Sequence, residues 1–322
     1  MLKAPAVLAG VVALTFVAAA PLALAMRGAM QAHLGRSLMA DAAADGVNFD
    51  WWQEFASQSP GLGATFTPAV IGFASTLDGL SGLLDAQPRP LPVLGAAAAY
   101  LLAWTFLSGG ILDRYARRRP TRADGFFAAA GVFFWRLLRL GVVAALAYWC
   151  LFTYVHAWLL DDAYGRLTRD LAAERQAFAW RLLLYAVFGL LLAGVNVTLE
   201  YARIRLVVED RRSALGALKA ALGFIGRHTP RVIGLYALNG LTFVALTAGW
   251  SVAAPGAGGA GWSMWAGLLA AQVWLLARLA LKLQFMASQT ALFQASLAHA
   301  GYTAAPRAVW PESAAAEMLG PG

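Results

Sequence analysis

Ionisable and amide side chains set in long apolar runs are the residues of this chain whose type and spacing could do chemistry. Glu200 closes the run FGLLLAGVNVTLE, and Asn196 lies one turn earlier on the same helical face. Arg278 and Lys282 stand one turn apart in WLLARLALKL, with Gln272 upstream. A charge in hydrocarbon is costly, so such residues are expected to pair or to line a polar path. The spacing points to a buried network in which Glu200 pairs with Arg278, Asn196 and Gln272 supply hydrogen bonds, and Lys282 extends the layer. Such a layer could line a substrate path. The plainer alternative is that Arg278 and Lys282 reach lipid phosphates on their long stems while the amides tie helices together.

Other chemistry is sparse. The chain has no GxSxG, HExxH, Walker A or CxxC pattern. His33, His156, His228 and His299 fall in unrelated segments, so neither a metal site nor a cofactor is expected. Cys150 is the single cysteine, which excludes an intrachain disulfide. A second cluster, DWWQEF (50–55), brackets two indoles with acids. Asp50 with Gln53 resembles a capping box, placing Trp51, Trp52 and Phe55 on the first turn of a short helix. Tryptophan favours the bilayer interface, so these three are expected to anchor an outer cap; a ligand shelf using Glu54 and the indoles is the alternative.

These residues must be positioned by helices in lipid. Of 322 residues, 60% are hydrophobic and 13% charged, against about 25% charged in ordinary soluble domains. A hydrocarbon crossing needs about 20 apolar residues. Six segments qualify, at about 4–26, 93–112, 126–160, 178–199, 232–254 and 262–283. The expected class is an all-α polytopic membrane helix bundle with amphipathic interfacial helices. Residues 27–92 would form an outer-face loop carrying interfacial helices, the second from Pro68 through Val70, Ile71, Phe73, Leu77 and Leu80. Residues 298–322 would form a flexible cytoplasmic tail.

Arginine placement sets direction. Arg114, Arg117, Arg118, Arg119 and Arg122 follow the second span, and Arg203, Arg205, Arg211, Arg212, Lys219, Arg227 and Arg231 follow the fourth. The loops after the first and third spans are net acidic. Both termini should therefore face the cytoplasm of an inner membrane. Lys3, an apolar stretch and Ala23-Leu24-Ala25 imitate a cleavable secretory signal. The apolar run is long for one, which favours a retained span; cleavage would leave five. The net charge of +8 is explained by these loops and does not call for nucleic acid.

Two basic-loop segments resemble each other. ADGFFAAAGVFFWRLLRLGVV (123–143) and SALGALKAALGFIGRHTPRVIGLYAL (213–238) bring Ala128-Ala129, Gly131 and Arg139 into step with Ala220-Ala221, Gly223 and Arg231. Each is expected to form a short amphipathic elbow before its span, with Arg136, Arg139, Arg227 and Arg231 reaching anionic headgroups. FFWRLLRLG and VVEDRRSALGALKAALGFIGRH are similar to the elbow segments of a broad group of bacterial multi-pass proteins. That group includes the membrane domain attached to some glycerophosphodiester phosphodiesterases. The likeness covers about residues 110–240 and implies a bundle of about six spans. The soluble phosphodiesterase barrel has no counterpart here, so no activity carries over.

The functional expectation is a non-enzymatic membrane component: a scaffold, an envelope-homeostasis factor or a partner subunit. Its partners would be membrane lipids, through anionic headgroups at the elbows, and another membrane protein. The alternative is a transporter or permease for a small molecule or lipid, and the third reading is an intramembrane enzyme.

Overall fold

The computed structural model describes residues 5–44, 48–66, 72–117, 122–254 and 261–299. The tail from residue 300, Pro68, Val70 and Ile71 of the outer loop, and Arg118 and Arg119 lie outside these residues. All regular structure among the described residues is helical.

Six helical stretches are long and apolar enough to cross a membrane: Pro5–Leu34, Leu91–Arg117, Ala123–Thr168, Glu174–Val208, Thr229–Ala253 and Trp262–Leu297. The chain is an all-α polytopic membrane bundle. The short helices are α2 (Ala40–Ala44), α3 (Phe49–Gln58) and α4 (Gly72–Leu84) between the first two spans, and α9 (Ala214–Arg227) between the fourth and fifth. The spanning helices are α1 (Pro5–Leu34), α5 (Leu91–Arg117), α6 (Ala123–Cys150), α8 (Glu174–Val208), α10 (Thr229–Ala253) and α11 (Trp262–His299). Two π-helical segments, Leu151–Val155 and Trp158–Ala163, prolong α6 into α7 (Tyr164–Thr168).

Helix ends overrun the apolar runs because backbone hydrogen bonding continues through polar sequence once a helix has started. With 35 residues, α8 extends roughly 52 Å, well past a hydrocarbon core of about 30 Å. The overrun lies at the basic end, and there the core is densest. Tyr201, Phe224 and Phe293 are almost fully buried; their rings stand 5.1 and 5.0 Å apart in sequence along this chain of contacts. Gln294 Nε2 donates to the Ala116 carbonyl at 2.8 Å, satisfying a terminal acceptor of α5. Toward the other end, Phe16, Leu190, Leu241 and Val273 are exposed on the bundle flanks, as lipid-facing side chains should be.

The closest helix pair is α5 with α6. A Cβ on Gly110 would lie 2.8 Å from the Phe126 carbonyl, and one on Gly109 would lie 3.1 Å from the Phe133 Cβ. Dispersion and close backbone approach, rather than water exclusion, drive helix association in lipid, so these two glycines set the separation.

The two elbow segments diverge. Residues 214–227 form the separate helix α9, whose Ser213 side chain caps it by accepting from Gly216 N at 3.1 Å. The helix ends at His228, and Pro230 opens α10, as suits a residue without an N–H. Residues 123–143 lie instead in one unbroken helix to Cys150. No proline interrupts that stretch, so the amphipathic entry and the span are one helix.

Candidate functional site

Polar and aromatic side chains from four helices, α5, α8, α10 and α11, meet in a layer toward the basic end of the spans. On α11, Arg278 and Lys282 share a face but not an environment. Arg278 is exposed, its guanidinium 5.6 Å from the Trp274 ring. Lys282 is half-buried, and its ammonium lies 3.5 Å from the centre of the Trp104 indole and 5.4 Å from the Tyr100 ring. Trp104 is buried and stacks on Tyr100 at 6.4 Å. A desolvated cation over an indole face is stabilised by the ring quadrupole.

The expected Glu200–Arg278 pair is not formed. Glu200 pairs with Arg203, three residues along α8, at 3.5 Å. Arg203 lies on the same helix within easy reach, so Glu200 gains a counter-charge without ordering a second helix. Of the two α11 cations, Lys282 is the one held against the buried Trp104, while Arg278 is exposed. Asn196 Nδ2 donates to the Tyr236 hydroxyl at 2.9 Å, joining α8 to α10. Asn239 Nδ2 donates to Ser288 Oγ at 3.0 Å, joining α10 to α11. Gln272 is exposed and stays outside the layer; it lies roughly 15 Å up α11 from Lys282.

Of the four elbow arginines, Arg136 is occupied. It pairs with Asp210 and donates to the Arg211 carbonyl, so it is not presented to headgroups as expected. Arg139 and Arg231 are exposed, and Arg227 is exposed with its Nε donating to the Gly223 carbonyl at 3.1 Å. Beside Arg136, Glu209 bridges Arg205 at 2.9 Å and also pairs with Arg211.

DWWQEF is inward-facing rather than an outward anchor. Asn48, not Asp50, caps α3, accepting from Trp51 N at 2.9 Å. Trp51 and Phe55 are buried, stacked 5.3 Å apart, with His33 of α1 edge-on to both. Trp52 is half-buried and donates its Nε1 to the Phe66 carbonyl at 2.8 Å. Glu54 accepts from Ser37 Oγ at 2.7 Å. The aromatic cluster thus closes the acidic-end cap onto the end of α1, because stacking four rings against one another removes more apolar surface than laying two on lipid. His156 lies elsewhere at that end, its Nε2 2.6 Å from the Leu84 carbonyl.

Asp85, just after α4, accepts from the Tyr185 hydroxyl at 2.5 Å and from Ser81 Oγ at 2.7 Å. The hydrogen bond from Tyr185, then that from Ser81, hold its carboxyl below the usual carboxylate range. These contacts tie α4 to α8.

Arg203, Trp104, Tyr100, Tyr236 and Ser288 were not singled out from sequence. Arg203 carries a usable signal, being three residues after Glu200, but it lies beyond the apolar run, where hydropathy predicts a loop in place of the α8 the structure shows. The aromatic partners had none, since their pairing depends on which helices adjoin. No group of three or more His, Cys, Asp or Glu side chains is placed to hold a metal among the described residues. No protein-family model, curated relative or solved structure matches the chain.

Proposed function

We propose that this protein is a non-enzymatic component of a bacterial inner membrane, with its basic end and both termini in the cytoplasm. It acts as a scaffold, envelope-homeostasis factor or partner subunit. The observation that carries this reading is the engagement of the intramembrane polar groups with one another: Glu200 with Arg203, Lys282 with Trp104, Asn196 with Tyr236 and Asn239 with Ser288. Each contact joins or stiffens helices. The flanks around this layer are apolar and exposed at Phe16 on α1 and Phe243 on α10, which suits packing against lipid and another membrane protein.

A photo-crosslinking residue placed in cells at Phe16 or Phe243 tests it. A discrete protein adduct from one flank and not the other is expected; lipid adducts alone from both would sink the partner reading.

Transport of an anionic small molecule or lipid is the second reading. It is favoured by Lys282, a cation with no carboxylate in ion-pair contact among the described residues. Uptake of labelled anions into proteoliposomes, lost in K282M, would establish it over the first.

A further inference from the structure

The turn between α8 and α9 holds two acids and two arginines in the order Glu209, Asp210, Arg211, Arg212. Asp210 adopts a left-handed backbone at φ 51°, which aspartate tolerates, and it is taken by Arg136. Glu209 is shared by Arg205 and Arg211. Both carboxylates of the turn are therefore engaged. Arg139, one turn beyond Arg136 on α6, and Arg212 are exposed and pair with no carboxylate among the described residues.

These two unmatched cations line the same cavity. It has a volume of about 440 Å³ and is walled by Arg139 and Val143 of α6 and by Arg212, Ser213, Ala214 and Leu215. Its size falls within the range of small-ligand sites, roughly 300–1,000 Å³.

The cavity is not a purely polar hollow. Val143 and Leu215 form apolar walls. Beyond them, Val142 and Leu146 on α6 and Leu215 and Leu222 on α9 are exposed by 56, 57, 69 and 57%. Leu215 and Leu222 are seven residues apart, so they form one edge of α9. An anion in this cavity thus meets the side chains of Arg139 and Arg212 together with the apolar Val143 and Leu215, with exposed apolar side chains on the same two helices. That pairing fits a diacyl phosphate better than a hydrated free ion.

The geometry points to a binding site for the phosphodiester of an anionic phospholipid between Arg139 and Arg212, with its acyl chains along Val142, Leu146 and Leu215. Arginine suits this role because its planar fork can take two phosphate oxygens at once. The site deepens the lipid contact of the proposed function and rests on the basic end meeting the headgroup layer. It does not depend on a protein partner.

Native mass spectrometry of the full-length protein released from mild detergent tests the site. The probes are phosphatidylglycerol, phosphatidylcholine with the same chains, and inorganic phosphate. Wild type should retain phosphatidylglycerol selectively, and R139Q/R212Q should lower its apparent affinity about tenfold for the loss of two charge-assisted contacts. R122Q/K219Q removes the same charge from exposed positions outside the cavity and should lower it about twofold or less, as bulk surface attraction would. L215E keeps both arginines but sets a carboxylate in the wall, and should abolish retention even if the arginine double variant folds poorly.

Equal losses in the two double variants would overturn the site in favour of bulk charge. Equal retention of phosphatidylcholine would overturn its headgroup selectivity. Displacement of phosphatidylglycerol by millimolar inorganic phosphate would reassign the cavity to a free anion. A missing protein adduct in the crosslinking experiment would leave these readouts unchanged, so the two readings fail separately.

Discussion

The Lys282 ammonium sits 3.5 Å from the centre of the Trp104 indole, joining α11 to α5 through a cation over an aromatic face. The relationship ties the charged layer to the helix that packs most closely on α6. Truncating Trp104 also opens a void, so the cation–ring contact is isolated only by a double-mutant cycle. Thermal unfolding of W104L, K282M and the double variant in detergent should show a coupling of about 1 kcal/mol. Simple additivity would mean that the two side chains are merely neighbours.

Glu200 is bonded along its own helix to Arg203 and not across to Arg278. The exchange E200R/R203E should recover part of the stability lost by E200R, with a coupling of roughly 0.5 kcal/mol, as for a surface helix pair. The exchange E200R/R278E should recover none. Recovery in the second and not the first, read as folded yield and melting temperature, would restore the cross-helix pair.

Gly110 has no room for a methyl group. G110A would press Cβ toward the Phe126 carbonyl at 2.8 Å and the Phe126 ring at 2.9 Å. It should cost about 1–3 kcal/mol, as overpacking does. Gly131, on α6, has nothing within 4 Å of its added Cβ, so G131A should be neutral or slightly stabilising through helix propensity. Denaturation midpoints of the pair measure the difference; equal midpoints would mean that α5 and α6 can separate without cost.

The Asp85 contact gives α4 an acid-sensitive tether. Its carboxyl is held below its ordinary value of 3.8, first by the hydrogen bond from Tyr185 and then by that from Ser81. A depressed carboxylate contributes stability that is fully present above its unfolded value and is lost as pH falls through the folded one. Hydrogen-exchange protection of 72–84 should therefore be constant above pH 3.8 and decline below it. In Y185F the contribution shrinks at neutral pH and less protection remains for acid to remove. Loss of protection on raising the pH instead would contradict the sign.

The proposed orientation predicts that reporters inserted at residues 120 and 215 report the cytoplasm, while one at residue 60 reports the opposite side. Alkaline phosphatase and fluorescent-protein fusions read the two sides independently. Activity of the phosphatase at residue 215 would invert the whole arrangement.

Much of the architecture follows from composition read in order. Runs of apolar residues long enough to cross hydrocarbon determine six spans by themselves, because lipid forces each span to satisfy its backbone internally. Short-range signals were legible to within a few residues: α9 begins behind Ser213, and a helix does start just before Trp51. The helix ends were less so. By hydropathy Glu200 ends its span, yet α8 runs to Val208, because hydrogen bonding within a helix is indifferent to the polarity that ends a hydropathy window.

Partnership was decided only by the tertiary structure. Asn196 and Glu200 were recognised as one face of a helix from their spacing alone. That Asn196 meets Tyr236, that Lys282 rests on Trp104, and that Trp51 turns inward onto His33 depend on which helices adjoin and at what rotation. Periodicity gives the face a residue occupies on its own helix, while the neighbour across that face is set by small-residue contacts such as Gly109 and Gly110 against α6. Spacing along the chain carries the first kind of information and leaves the second to packing.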